Sequence, residues 1–137
     1  PKMIELYRDS ETEKFEQTVK KFFVEVLAYS LITIAGIAVL IHPVLEYLGK
    51  AEFVQSLSVL WILLGAALVL NLSFVPHYVL FVKHKDIAIR NITIIGAVLN
   101  IGLNILLIPN YGLVGAAVAT LGSYMGIFYY KLLVGKS

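Results

Sequence analysis

The feature that most constrains this chain is the run Asn100 to Ala119, NIGLNILLIPNYGLVGAAVA, in which one apolar stretch stops at Pro109-Asn110-Tyr111-Gly112 and another begins at once. No residue is charged from Asn91 to Ile108, and none from Leu113 to Tyr130. Each arm therefore offers the roughly 18 to 20 residues that a helix needs to cross a bilayer core. Proline removes a backbone donor and glycine leaves the backbone free to reverse. The run thus predicts two membrane-spanning helices joined by a tight turn, with Pro109 ending the first. Composition points to the same solvent: mean hydropathy is +0.85 and charged residues are 15% of the chain, against roughly a quarter in soluble domains.

Four apolar spans are expected, in an all-α, polytopic membrane protein. Residues 1–21 carry charges of both signs around sparse apolar anchors (Leu6, Phe15, Val19) and read as a cytoplasmic juxtamembrane amphipathic segment, either partnered or simply solvated. Asp9 or Ser10 followed by Glu13 fits an N-cap and capping box, so a helix is expected to start near Ser10 and run into the membrane. The spans follow at 22–48, 57–82, 87–108 and 113–133, with 134–137 as a cytoplasmic tail. Glu25 and Glu46 lie near the ends of the first span, within reach of headgroup water. The second span is interrupted in character by Asn71, Ser73, Pro76 and His77. Pro76 frees the carbonyl of Leu72, and His77, with no second ligand at helical spacing, reads as a hydrogen-bond partner and not a metal ligand.

The third span aligns Thr93, Gly96 or Ala97, Asn100 and Asn104 at spacings of three and four. That stripe must face protein or water, because an amide in lipid leaves donors unsatisfied. The fourth repeats small residues at Gly115, Ala119, Gly122 or Ser123, and Gly126, a pattern that lets helix backbones approach closely. Tyr124, Tyr129, Tyr130 and Lys131 cluster near its end in the manner of interfacial anchors.

Alternating spans would gather Lys2, Arg8, Lys14, Lys20, Lys21, Lys83, Lys85, Arg90, Lys131 and Lys136 on one side and leave Lys50 alone on the other. The positive-inside rule then puts both termini in the cytoplasm and the Gly49 and Pro109 turns outside, in a multi-pass protein of the cell inner (plasma) membrane. The net charge of +2 is too small to argue for nucleic acid, and the absence of cysteine excludes disulfides and thiolate metal sites. Paired carboxylates, a nucleophile–base pair and a Gly-rich phosphate loop at a helix start are all missing, so neither an enzyme nor a cofactor is expected. The chain begins at Pro1 without a methionine or signal peptide and is expected to be the C-terminal part of a longer protein.

The run from Asn100 to Thr120 resembles the late hairpin of bacterial polysaccharide-biosynthesis membrane proteins, the lipid-linked oligosaccharide (O-antigen type) flippases of the multidrug/oligosaccharidyl-lipid/polysaccharide exporter superfamily. Upstream, Pro1 to Tyr7 (PKMIELY) is similar to the segment following a preceding span in that family, and Lys83-His84-Lys85-Asp86 to its short basic loop. The likeness covers essentially the whole chain. It implies that these four helices are part of the C-terminal lobe of a bundle of about twelve to fourteen spans working by alternating access. The implied partners are the lipid bilayer, the remaining transmembrane helices and lipid-linked oligosaccharide.

Flipping an anionic glycolipid calls for cations to meet its phosphates and polar groups to meet its sugars. Arg90 is the nearest candidate cation, either for a pyrophosphate or as an ordinary positive-inside anchor. Asn71, Asn100 and Asn104 either line a substrate path or bond helix to helix, and Gly115, Ala119, Gly122 and Gly126 serve helix packing. An ion-coupled drug exporter of the same superfamily is the alternative, but it calls for a membrane-buried acid, and none occurs in Leu57–Val82 or Asn91–Tyr130. A non-transporting membrane scaffold is the third reading.

Overall fold

A computed structural model of the chain describes residues 2–49, 53 and 56–136. Expectations attached to Pro1 and to Lys50, Ala51 and Glu52 lie outside the described residues. The elements are α1 (Lys2–Arg8), α2 (Thr12–Tyr47), α3 (Leu57–Val82) and α4 (Asp86–Lys136), with no strand among the described residues. Three of them, α2, α3 and α4, are long and apolar enough to cross a membrane. At 1.5 Å per residue the 36 residues of α2 rise about 54 Å, well beyond a hydrocarbon core of about 30 Å, so its charged first turns stand clear of the apolar stretch.

The N-terminal segment departs from expectation. Ser10 caps nothing: it has φ 58° and lies just past the end of α1. There the Glu11 amide donates to Leu6 O (3.1 Å) and the Ser10 amide to Tyr7 O (3.3 Å), the paired bonds of a Schellman C-terminus. The N-cap of α2 is Glu11, which makes no side-chain capping bond, so the capping box does not form. A left-handed residue satisfying the carbonyls of one helix cannot also hold the extended geometry that an N-cap needs. The chain therefore turns at Ser10, and α1 packs against the start of α2 through Tyr7 and Phe15, whose ring centroids lie 5.6 Å apart.

The same device ends α3, where the Lys85 amide donates to Leu80 O and the His84 amide to Phe81 O, both at 3.0 Å, with His84 at φ 54°.

α4 is bent back on itself. Its backbone stays helical through Pro109 and leaves helical geometry at Gly112, with φ 59° and ψ −130°. Proline therefore does not end the first arm, contrary to expectation. Its missing donor frees a carbonyl only one turn back, and Asn110 Nδ2 donates to Leu106 O (3.2 Å) beside it. Reversal needs a positive φ, and glycine supplies that without strain. Beyond the turn the arms run antiparallel. A Cβ added at Gly126 would lie 3.1 Å from Leu99 Cδ2, one at Gly122 3.5 Å from Leu103 Cδ1, and one at Gly115 would collide with the Leu107 carbonyl.

The buried and exposed sets are inverted relative to a water-soluble domain. Buried positions are mostly small or polar, among them Ala66, Ala117, Ala119, Ser30, Ser73 and Ser123, whereas Val39, Ile32, Val98, Ile101 and Ile105 face outward. Large apolar side chains on the outside and small ones between backbones are what lipid solvation produces, since lipid gives helices no hydrophobic reason to associate. The most extensive interface joins α3 to α4, and α2 lies along α3.

Candidate functional site

A set of uncharged polar groups from two of the apolar helices meets in a cleft between α2 and α3. Ser30 stands at the middle of α2 and Asn71 within a turn of the middle of α3, and Asn71 Nδ2 donates to Ser30 Oγ at 3.1 Å. From α2 the positions Phe22, Val26, Tyr29, Ser30 and Thr33 recur at helical spacing and so share a face. From α3, Asn71, Phe74 and Tyr78 do the same. Together these residues enclose about 340 Å³, and none of them is charged. At one end Phe22 and Tyr78 meet edge to face, ring centroids 5.5 Å apart. Tyr29 is 72% exposed and Tyr78 half exposed. Thr33 Oγ1 donates to Tyr29 O within its own helix (2.9 Å), which uses its hydroxyl proton and leaves the oxygen able to accept.

The chemistry on offer is neutral. Asn71 keeps a carbonyl oxygen, Ser30 keeps its hydroxyl proton, and two tyrosines present broad rings with a polar tip. Such a surface suits a ligand that is both hydroxylated and flat-faced. No carboxylate is among its lining residues.

The other residues singled out from sequence lie elsewhere. Asn100 and Asn104 are half-buried on the first arm of α4, and Asn104 Nδ2 donates to Asn100 O (2.9 Å) and to Asn100 Oδ1 (3.0 Å). Both bonds of the Asn104 amide nitrogen thus stay inside one helix. Arg90 is exposed one turn into α4. Gly115 and Ala119 are buried, and Gly122 and Gly126 half-buried, along the face of the second arm that meets the first. The apolar spacing of that arm would have flagged one further residue. Lys131 follows the buried Ala117 by fourteen residues, close to four turns, and so returns to the same face. It is buried at 8% exposure, with Nζ donating to Ser73 Oγ across the α3–α4 seam at 3.4 Å, where its tyrosine neighbours had led to the expectation of an interfacial anchor.

At the same end of the molecule the connection between α3 and α4 folds over the last turn of α4. Lys83 Nζ donates to Gly135 O (2.6 Å) and Lys85 Nζ to Val134 O (3.0 Å). These carbonyls belong to the orphan set at a helix C-terminus, where cations are also favoured by the helix dipole. The expected tail is therefore helical as far as Lys136 and is held by the loop before α4.

Comparison of the chain with protein-family models, curated proteins and solved structures finds no match.

Proposed function

We propose that this chain is part of a membrane transporter that flips lipid-linked oligosaccharide from the cytoplasmic to the outer face for polysaccharide biosynthesis, by alternating access. The observation that carries the reading is the uncharged cleft around Asn71 and Ser30, placed at mid-helix where a hydroxylated cargo would otherwise meet only hydrocarbon. The likeness of the Asn100–Thr120 hairpin to the polysaccharide-biosynthesis flippases supports it. In this reading α2, α3 and the two arms of α4 make four crossings of the inner membrane, and Gly112 turns on the outer side. Both ends of the segment then lie in the cytoplasm with ten of the eleven basic residues. A cysteine at Asn110 should react with an impermeant thiol reagent in intact cells and one at Lys85 should not; the reverse pattern overturns the orientation.

The polar cleft lacks the acid that a drug exporter would use to bind a coupling ion. The two readings separate in a strain lacking the full-length protein. A flippase strain accumulates lipid-linked oligosaccharide on the cytoplasmic face and loses surface polysaccharide. Normal surface glycan with raised drug sensitivity would replace the flippase with the exporter, and neither phenotype would leave a scaffold.

A further inference from the structure

Farther round α3 from the polar cleft lies a groove of different character. Val75, Pro76 and Val79 form its floor, Phe23 on α2 one wall, and Phe128 and Leu132 on α4 the other, around a volume of about 480 Å³. It shares Val19, Lys20, Val79, Gly135 and Lys136 with a larger hollow of about 710 Å³ beneath α1, so the two run together. The groove is apolar along its length and cationic where it meets the hollow. Lys131 lines it, Lys20 and Lys136 stand at the junction, and Lys83 lines the hollow beyond. Glu16 is the one acid among the described residues lining either part.

The ion pairs among the described residues are Arg8–Asp9, Lys14–Glu11 and Lys21–Glu25, none of them in the groove. Lys131 is more than nine-tenths buried, yet its ammonium, with three donors, has one long bond to a neutral hydroxyl. A buried cation of this kind is stable when an anion shares its site. A ligand matching the whole groove is apolar for most of its length and anionic at one end, and that end lies among the basic residues.

We propose that this groove holds an anionic phospholipid of the leaflet on the basic side, its phosphate diester between Lys131, Lys20 and Lys136 and an acyl chain along Phe23, Pro76 and Phe128. The assignment is independent of what the protein transports. Anionic headgroups gather at basic membrane-proximal residues, each lysine adding to the attraction, so discrimination from a zwitterionic lipid of at least about tenfold is expected.

The test uses the full-length protein in uncharged detergent, titrated with dioleoylphosphatidylglycerol or dioleoylphosphatidylcholine and read by native mass spectrometry. Wild type should retain the glycerol lipid at least about tenfold more tightly. Lys131→Met should reduce its retention to the choline level, and the Lys20→Gln/Lys136→Gln pair should do so without touching a buried residue. Lys14→Gln, whose lysine pairs with Glu11 outside the groove, should change nothing. Equal retention of the two lipids, or glycerol-lipid retention unchanged in both variants, overturns the proposal, the latter being the result if another helix of the protein covers the groove. Displacement by millimolar inorganic phosphate would make it a free-anion site, and stoichiometric displacement by a polyprenyl pyrophosphate would give it to a carrier lipid; either result also overturns it.

Discussion

Lys131 reaches Ser73 across the seam between α3 and α4, Nζ to Oγ at 3.4 Å, with the serine 1% exposed and the lysine 8%. A charge so placed is a cost to the fold, because the hydroxyl beside it cannot replace lost hydration. The two partners should therefore respond oppositely to removal. Lys131→Met, which fills the same volume with apolar atoms, is expected to leave the melting temperature unchanged or raise it, by analogy with buried charges whose replacement is neutral or stabilising by about 1–4 kcal/mol. Ser73→Ala strips the lysine of its partner and is expected to cost about 1–3 kcal/mol. Thermal unfolding in detergent checks both, and a Lys131→Met variant less stable than Ser73→Ala would mean that the ammonium has a stabilising partner besides Ser73.

The hairpin of α4 should rank its glycines by what a methyl group would meet. At Gly115 that is the Leu107 backbone carbonyl, which cannot swing aside; at Gly126 it is the tip of Leu99 at 3.1 Å; at Gly122 it is Leu103 at an ordinary 3.5 Å. Gly115→Ala is therefore expected to lower folded yield most, Gly126→Ala less, and Gly122→Ala hardly at all. Gly112→Ala meets open space but forces a Cβ onto φ 59°, ψ −130°, at a cost of about 1–3 kcal/mol. Folded yield by fluorescence size-exclusion chromatography gives the order; equal yields for Gly115→Ala and Gly122→Ala would refute close packing at the turn.

The sequence was legible where periodicity and solvent speak together. Charge-free runs marked the long apolar helices, and the small-residue stripe marked the face on which the arms of α4 meet. It was less legible where one residue type serves two local structures. Ser10 suits an N-cap as well as a left-handed C-terminus, and which of them forms depends on whether Lys2–Arg8 is already helical. Pro109 and Gly112 stand three residues apart and either can break a helix; the turn falls at the residue that tolerates positive φ. The cleft was visible only through Asn71, since its partner Ser30 is 41 residues away on another helix. Lys131 was misread because a lysine near a run of tyrosines has the composition of an interface even when its helical face turns inward.

Left-handed His84 offers a gain in stability. Its φ of 54° serves the Schellman bonds that end α3, a geometry that costs a residue bearing a Cβ about 1–2 kcal/mol and costs glycine little. His84→Gly is expected to raise unfolding stability by about 1 kcal/mol, less whatever extra freedom glycine gives the unfolded chain. His84→Val, β-branched, should lose more than that. Thermal melts of the two variants decide it, and a stabilising valine would show that the turn relaxes out of the left-handed region.

Asn71 and Asn104 allow structure and transport to be separated. Both are half-buried amides on apolar helices, yet Asn71 bonds across the α2–α3 cleft to Ser30 whereas Asn104 spends its donors on Asn100 one turn back. Hydrogen bonds between membrane helices contribute only about 0.6 kcal/mol on average, so Asn71→Leu should fold nearly as well as wild type. What it removes is the amide at the centre of the uncharged cleft between α2 and α3, and on the proposed function surface glycan is expected to fall several-fold at equal protein level. Asn104→Leu removes a pair already satisfied within its helix and should leave both yield and glycan close to wild type. Ser30→Ala tests the cleft from the other helix, because it deletes the partner hydroxyl while leaving Asn71 free to bond a ligand, and it should lower glycan less than Asn71→Leu. Folded yield and surface glycan measured together for the three variants decide the assignment: if Asn104→Leu impairs export while Asn71→Leu does not, the cargo path runs along α4, and the cleft between α2 and α3 is packing alone.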